Sequence, residues 1–257
     1  MIFNPLRTRA GFDEFLLEMM LNASAEPGRP KGKLAESDVG DVIKAWLVGL
    51  RPQVAPVLDR SIQWLAQAIS EGEKVGREQE HRHHEFVLHE SHTLGCWLRG
   101  DGDLRARWAT VRERSQAAVV AGSGYTPDWI AKDRLDDEMA YCVLAEQYEL
   151  GIGEYEKYWE AKPPSLKKAL APRELGYALC LHHGRGELDA AALSEAVHKM
   201  LRARLEERWL GAGQDKRAAI WLAAVYRFQG PTLTPYETVL RAYDDMPNVT
   251  RPDALLS

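Results

Sequence analysis

A chain of 257 residues, 45% hydrophobic and 28% charged, has the size and composition of an ordinary globular protein with one large core or two modest helical layers. Its formal net charge of −5 argues against general nucleic-acid binding, which calls for a basic domain. No run approaches the roughly 18 apolar residues of a membrane span. The start, MIFNPLRTRAGFDEF, lacks a signal peptide's apolar core, so a cytoplasmic protein is expected.

Taken in order, the chain reads as helices separated by glycine- and proline-containing turns. Phe12, Phe15, Leu16 and Met19 mark a short amphipathic helix over 11–22. Residues 23–37 hold Pro27, Gly28, Pro30 and Gly32 and read as a loop, expected to be mobile. Ser37 or Asp38 then caps a helix to about Leu50. The next helix begins near Pro52 and Pro56 and runs through Leu58, Ile62 and Leu65 to about Ser70. Further helices are expected from about Arg77 to Leu98, from Asp103 to about Val120, from Pro172 to His183 and from Asp189 to Leu210. Two more follow over Gln214–Phe228 and Tyr236–Met246, before an irregular tail over 247–257. No segment alternates with the period of two that marks a strand. Helix lengths vary and no tetratricopeptide signature repeats. The expected fold is therefore all-α: a single domain over 1–257, an irregular array of about ten antiparallel helices, loosely helical-repeat-like. Cys96, Cys142 and Cys180 each fall in an apolar helical pattern and are expected to be buried free thiols.

The longest helical pattern, over 127–161, is also the most acidic. Trp129, Leu135, Met139, Cys142, Val143, Ala145 and Tyr148 recur mostly at three- and four-residue steps and form one apolar stripe. Gly151 and Gly153 interrupt it, which predicts two helices with a tight bend there. Between Asp133 and Glu160 stand nine acids (Asp133, Asp136, Asp137, Glu138, Glu146, Glu149, Glu154, Glu156 and Glu160) against Arg134 and Lys157, a net of −7. Such a run is either a solvated face or a surface that attracts a basic partner and speeds encounter. Asp133, Asp136 and Asp137 fall on adjoining turns and are expected to present a continuous patch. Tyr155 and Trp159, beside the later acids, are candidate anchors.

Other clusters carry less. His84-Glu85 followed by His89 resembles a zinc-protease signature, but that chemistry needs histidines four apart on one helix face. Here they are five apart, roughly 140° around a helix. Glu85, His89 and His92 do share a face and define a metal-dependent hydrolase as an alternative reading. Cys180 and His182 are two apart and point in different directions, so no nucleophile–base pair is expected there. Lys199, Arg202, Arg204 and Arg208 make a basic helix surface around Trp209, read as intramolecular balance for the acidic centre. The tryptophans at 46, 64, 97, 108, 129, 159, 209 and 221 fall mostly at apolar helix positions and suit core packing.

Several stretches together resemble the helical immunity proteins of bacterial polymorphic toxin systems. The likeness is to the family that accompanies restriction-endonuclease-like toxins of type VI secretion. The stretches are HTLGCWLRGDG (His92–Gly102) with Trp108, ELGIGEYE (Glu149–Glu156), PRELGYALC (Pro172–Cys180), Tyr226–Pro231 and the ending Leu240–Pro247. The resemblance implies a non-enzymatic inhibitor, with no cofactor and no catalytic residue, that binds a cognate toxin with a basic surface. The residues expected to meet it are Asp133, Asp136, Asp137, Glu146, Glu149, Glu154, Tyr155 and Trp159. A helical-repeat scaffold or adaptor that binds a peptide or a secreted protein is the other alternative. Neither a nucleic acid nor a membrane is an expected partner.

Overall fold

The expected helices form because each carries an apolar stripe that a neighbour can cover. The computed structural model describes residues 30–47, 51–73, 78–122, 134–158, 172–191, 193, 220, 221 and 224. Among them are seven helices and no strand: α1 Lys31–Leu47, α2 Arg51–Glu71, α3 Glu78–Arg99, α4 Arg105–Gly122, α5 Leu135–Leu144, α6 Tyr148–Tyr158 and α7 Pro172–Arg185. The described chain is thus all-helical. The expected helices over 11–22 and 236–246, the tail over 247–257 and most of the segments 189–210 and 214–228 lie outside the described residues, as does the basic cluster Lys199–Arg208.

Packing divides the helices into two groups of three. Within α1–α3, and again within α5–α7, every helix touches the other two, and α4 joins the groups by packing on both α3 and α5. The buried apolar set runs through both, from Val39, Leu65 and Leu88 across Trp108 to Met139, Ile152 and Leu179. Helix α5 lies deepest. Nine of its ten residues are buried, and only Asp136 reaches partway to solvent.

The structure corrects two expected boundaries. Residues 31–37, expected to belong to a loop, form the first turns of α1. Proline before a helix suits its start, and the Pro30 carbonyl accepts from the Lys33 and Leu34 amides at 3.1 and 3.2 Å. Gly32 serves there as a point of close approach: a Cβ would stand 2.7 Å from Glu73 Oε1 and 2.8 Å from Leu88 Cδ2. Its amide donates to Glu73 Oε2 at 3.1 Å, and Glu73 Oε1 lies 2.9 Å from His84 Nε2, so one carboxylate ties α1, α2 and α3.

The second correction moves the break in the acidic segment. The chain turns at Ala145–Gln147, and Gly151 and Gly153 lie inside α6. Glu146 takes a left-handed backbone, φ 57°. The Gln147 amide reaches back to Cys142 O at 2.9 Å and the Glu146 amide to Val143 O at 3.2 Å, the pattern of a helix ended by one left-handed residue. Glycine normally fills that position, which is why the glycines attracted the expected bend.

Gly151 and Gly176 are instead points where helices α6 and α7 pack closely on α5. A Cβ on Gly151 would lie 2.8 Å from Cys180 Sγ and 2.9 Å from Cys142 Cβ; one on Gly176 would collide with Met139 Cβ and sit 3.1 Å from the Trp221 ring. Gly153, two residues on, has nothing within 4 Å of its Cβ position. Gly176→Ala should therefore cost about 2 kcal/mol through overpacking. Gly153→Ala should leave stability unchanged or raise it by up to about 1 kcal/mol through helix propensity. Urea unfolding of both variants checks this; equal midpoints would contradict the close approach of α7 to α5.

Candidate functional site

The acidic segment is the natural place to look, and the structure sorts its acids by depth. Asp133 and Trp159 lie outside the described residues. Asp136, half-buried, accepts the Arg173 amide at 3.0 Å in the first turn of α7. Asp137 is 6% exposed, with Arg134 Nη2 4.0 Å from its carboxylate and the Arg134 guanidinium 5.1 Å over the Phe86 ring. The expected outward patch of Asp133, Asp136 and Asp137 is therefore corrected at Asp137. Helix α5 reaches solvent only at Asp136, so an acid one position on is carried into the interior.

Glu138 goes deeper into the same interior. Its Oε1 pairs with Arg112 Nε of α4 and accepts from Gln116 Nε2 at 3.1 Å. Both partners of the pair are buried. Burial pushes the Glu138 carboxyl up to about 6 against the pull of Arg112, so the pair is ionised at neutral pH. One helical turn on, the buried Tyr141 hydroxyl donates to Glu90 Oε1 of α3, and its ring stacks on Trp108 at 6.1 Å between centroids. Arg112–Glu138 and Tyr141–Glu90 bind α3, α4 and α5 together and were not singled out from the sequence. The signal was present: Glu138 follows Leu135 by three residues and precedes Cys142 by four, on the apolar stripe itself.

The remaining acids of the segment sit near the surface. Glu146, half-buried, accepts from Arg105 Nη1 at 2.8 Å. Glu149 is exposed and takes a two-pronged contact from Arg185 of α7, Nε at 3.1 Å and Nη2 at 2.9 Å, which holds its carboxyl below the usual range. Glu154, half-buried, pairs with no cation among the described residues. Tyr155 is no free anchor: it is 7% exposed and stacks on Tyr177, centroids 4.1 Å apart and planes 10° from parallel. The Tyr177 hydroxyl donates to Glu156 Oε1 at 3.0 Å, and burial followed by that carboxylate pushes its phenol up to about 12. What α6 turns outward is Glu149, Leu150, Gly153, Glu156 and Lys157, with Glu154 half-covered; Leu150, 41% exposed, is the one exposed large hydrophobe among the described residues.

The histidine cluster lies on α3. Glu85 pairs with Arg114, and Arg107 Nη1 approaches Cys96 Sγ at 2.8 Å, with His92 Nε2 3.9 Å from the same sulfur. Burial first, then the charges of Arg107, His89 and Arg99, hold the His92 imidazole down to about 4. Glu85, His89 and His92 do not converge on a metal position: among the described residues no group of three or more histidine, cysteine or acidic side chains could hold one. No described helix is long and apolar enough to cross a membrane.

Compared with known proteins, the chain matches no family model, no curated protein and no solved structure.

Two outcomes test the charged interior. Arg112→Met strands the Glu138 carboxylate and should cost about 3 kcal/mol or more, whereas Arg112→Met with Glu138→Leu should recover most of that loss. A double variant no more stable than the single one would place the pair outside the core. His92 supplies the pH signature. An unfolded histidine titrates near 6.5, and the folded one near 4, so the unfolded chain binds the extra proton between those values and stability falls as pH drops through that window. Glu138 acts oppositely, its carboxyl favouring the fold as pH falls below about 6. His92→Asn should therefore lose less melting temperature than the parent between pH 7 and pH 5; identical losses would contradict the burial of His92.

Proposed function

We propose that this chain is an immunity protein that neutralises a cognate secreted bacterial toxin, a nuclease by class, through direct contact. The support is the family resemblance together with one observation: α6 carries Glu149, Glu154 and Glu156 against a single Lys157 and exposes Leu150 in their midst. A nuclease presents a basic substrate cleft, and an acidic helix with an apolar centre is complementary to it. On this reading the surface runs from Glu146, in the turn before α6, along α6 through Glu149 and Glu154, with Asp136 at its margin; Asp133 and Trp159, the other residues expected to meet the toxin, lie outside the described residues. Tyr155 supports it from beneath, stacked on Tyr177, while Asp137 lies in the interior. The remaining segments complete an irregular array of about ten helices.

A toxin encoded beside this chain would be the partner to test. Co-expression should rescue cells from it. With the purified pair, Glu149→Lys, Glu154→Lys and Glu156→Lys combined should slow association about tenfold at low salt and flatten its salt dependence. Leu150→Asp should instead speed dissociation, about tenfold for each 1.4 kcal/mol lost. Unchanged kinetics in folded variants would remove α6 from the interface; failure of rescue by the parent chain would remove the function.

A further inference from the structure

Two of the three cysteines meet. Cys142 of α5 and Cys180 of α7 are free thiols with no exposed surface. Both press on Gly151 of α6, where a Cβ would stand 2.8 Å from Cys180 Sγ and 3.5 Å from Cys142 Sγ. The two sulfurs crowd one point from neighbouring helices, separated by no more than those two contacts laid end to end. A disulfide needs Cβ atoms about 3.8 Å apart. Helices α5 and α7 are in direct contact, so the two side chains approach each other from neighbouring helices, and a rotation of each about its Cα–Cβ bond is the movement the bond calls for. Cys96 belongs to a different helix and has Arg107 and His92 for neighbours.

We propose that Cys142 and Cys180 form a dithiol pair that closes to a disulfide by exchange with a low-molecular-weight disulfide, clamping α5 to α7 beneath α6. One protein thiolate attacks a sulfur of the small disulfide and expels one thiolate, leaving a mixed disulfide. The second protein thiolate displaces the other half. The protein gives up two protons and two electrons, and the small disulfide leaves as two thiols. Covered by α6, the pair is inert: burial pushes the Cys142 thiol up to about 12 and that of Cys180 well above its ordinary range. Exchange therefore requires α6 to lift away from α5 and α7 at Gly151, and the disulfide records that opening. In a reducing compartment the pair rests as thiols.

The test uses the full reduced chain, incubated with glutathione disulfide, quenched in acid and mapped by mass spectrometry. The expected result is loss of two hydrogens, a cross-linked peptide joining Cys142 to Cys180, and a melting temperature about 5 °C higher, reversed by dithiothreitol. Cys96→Ser should behave like the parent, and Gly151→Ala, which wedges α6 outward, should react faster. Mixed adducts without the cross-link, a cross-link through Cys96, or no reaction in native buffer while the urea-unfolded chain reacts would each overturn the proposal. Cys180→Ser should give no cross-link; were it not to fold, the peptide map of the parent chain still decides.

Discussion

The burial of α5 at every residue but Asp136 is the constraint on which the rest of the described structure depends. A helix whose neighbours are α4, α6 and α7 has nowhere to place a charge except against a partner. Glu138 finds Arg112, Asp137 finds Arg134, and Asp136 reaches the Arg173 amide. Each contact lies between α5 or its first turn and a neighbouring element or residue, so the same side chains that would destabilise a buried helix set its register. Tyr141 adds the link to α3 through Glu90. The glycines at 151 and 176 let α6 and α7 approach α5 closely enough to complete the enclosure.

That enclosure also divides the charge of the acidic segment. Acids on α5 are spent on cohesion, and those on the following turn and α6 remain near solvent, partly neutralised by Arg105 at Glu146 and Arg185 at Glu149. The described acids of this segment are thus two unlike populations. Only the second can steer a partner, because a carboxylate paired in the interior contributes little field outside.

Much of the fold was legible in the sequence. Boundaries of α2, α3, α4 and α7 fall close to their expected positions, since Pro52 and Pro172 open helices and Gly100 and Gly186 lie just past their ends. The three cysteines are buried, as are Trp108 and Trp221. The misses share a cause: a local rule was overridden by tertiary contact. Gly32 read as a loop residue, yet it sits in a helix because Glu73, Ala68 and Leu88 leave no room for a side chain. Glu146 ends a helix without glycine, in a left-handed conformation, and its side chain accepts from Arg105. Asp137 and Tyr155 looked like surface residues because period alone shows which residues share a helix face, and not how many faces are covered. No pattern in one sequence says that a helix is enclosed all round when three of its first four residues are acidic.

The most direct measurement of this account is amide hydrogen exchange along the chain in native buffer. If α5 is the enclosed centre, the amides of its second half, Met139–Leu144, should be among the slowest and exchange only with global unfolding, while those at the outward face of α6 exchange through smaller openings. Amides in Met139–Leu144 that exchange as fast as those of α6 would contradict the central place given to α5.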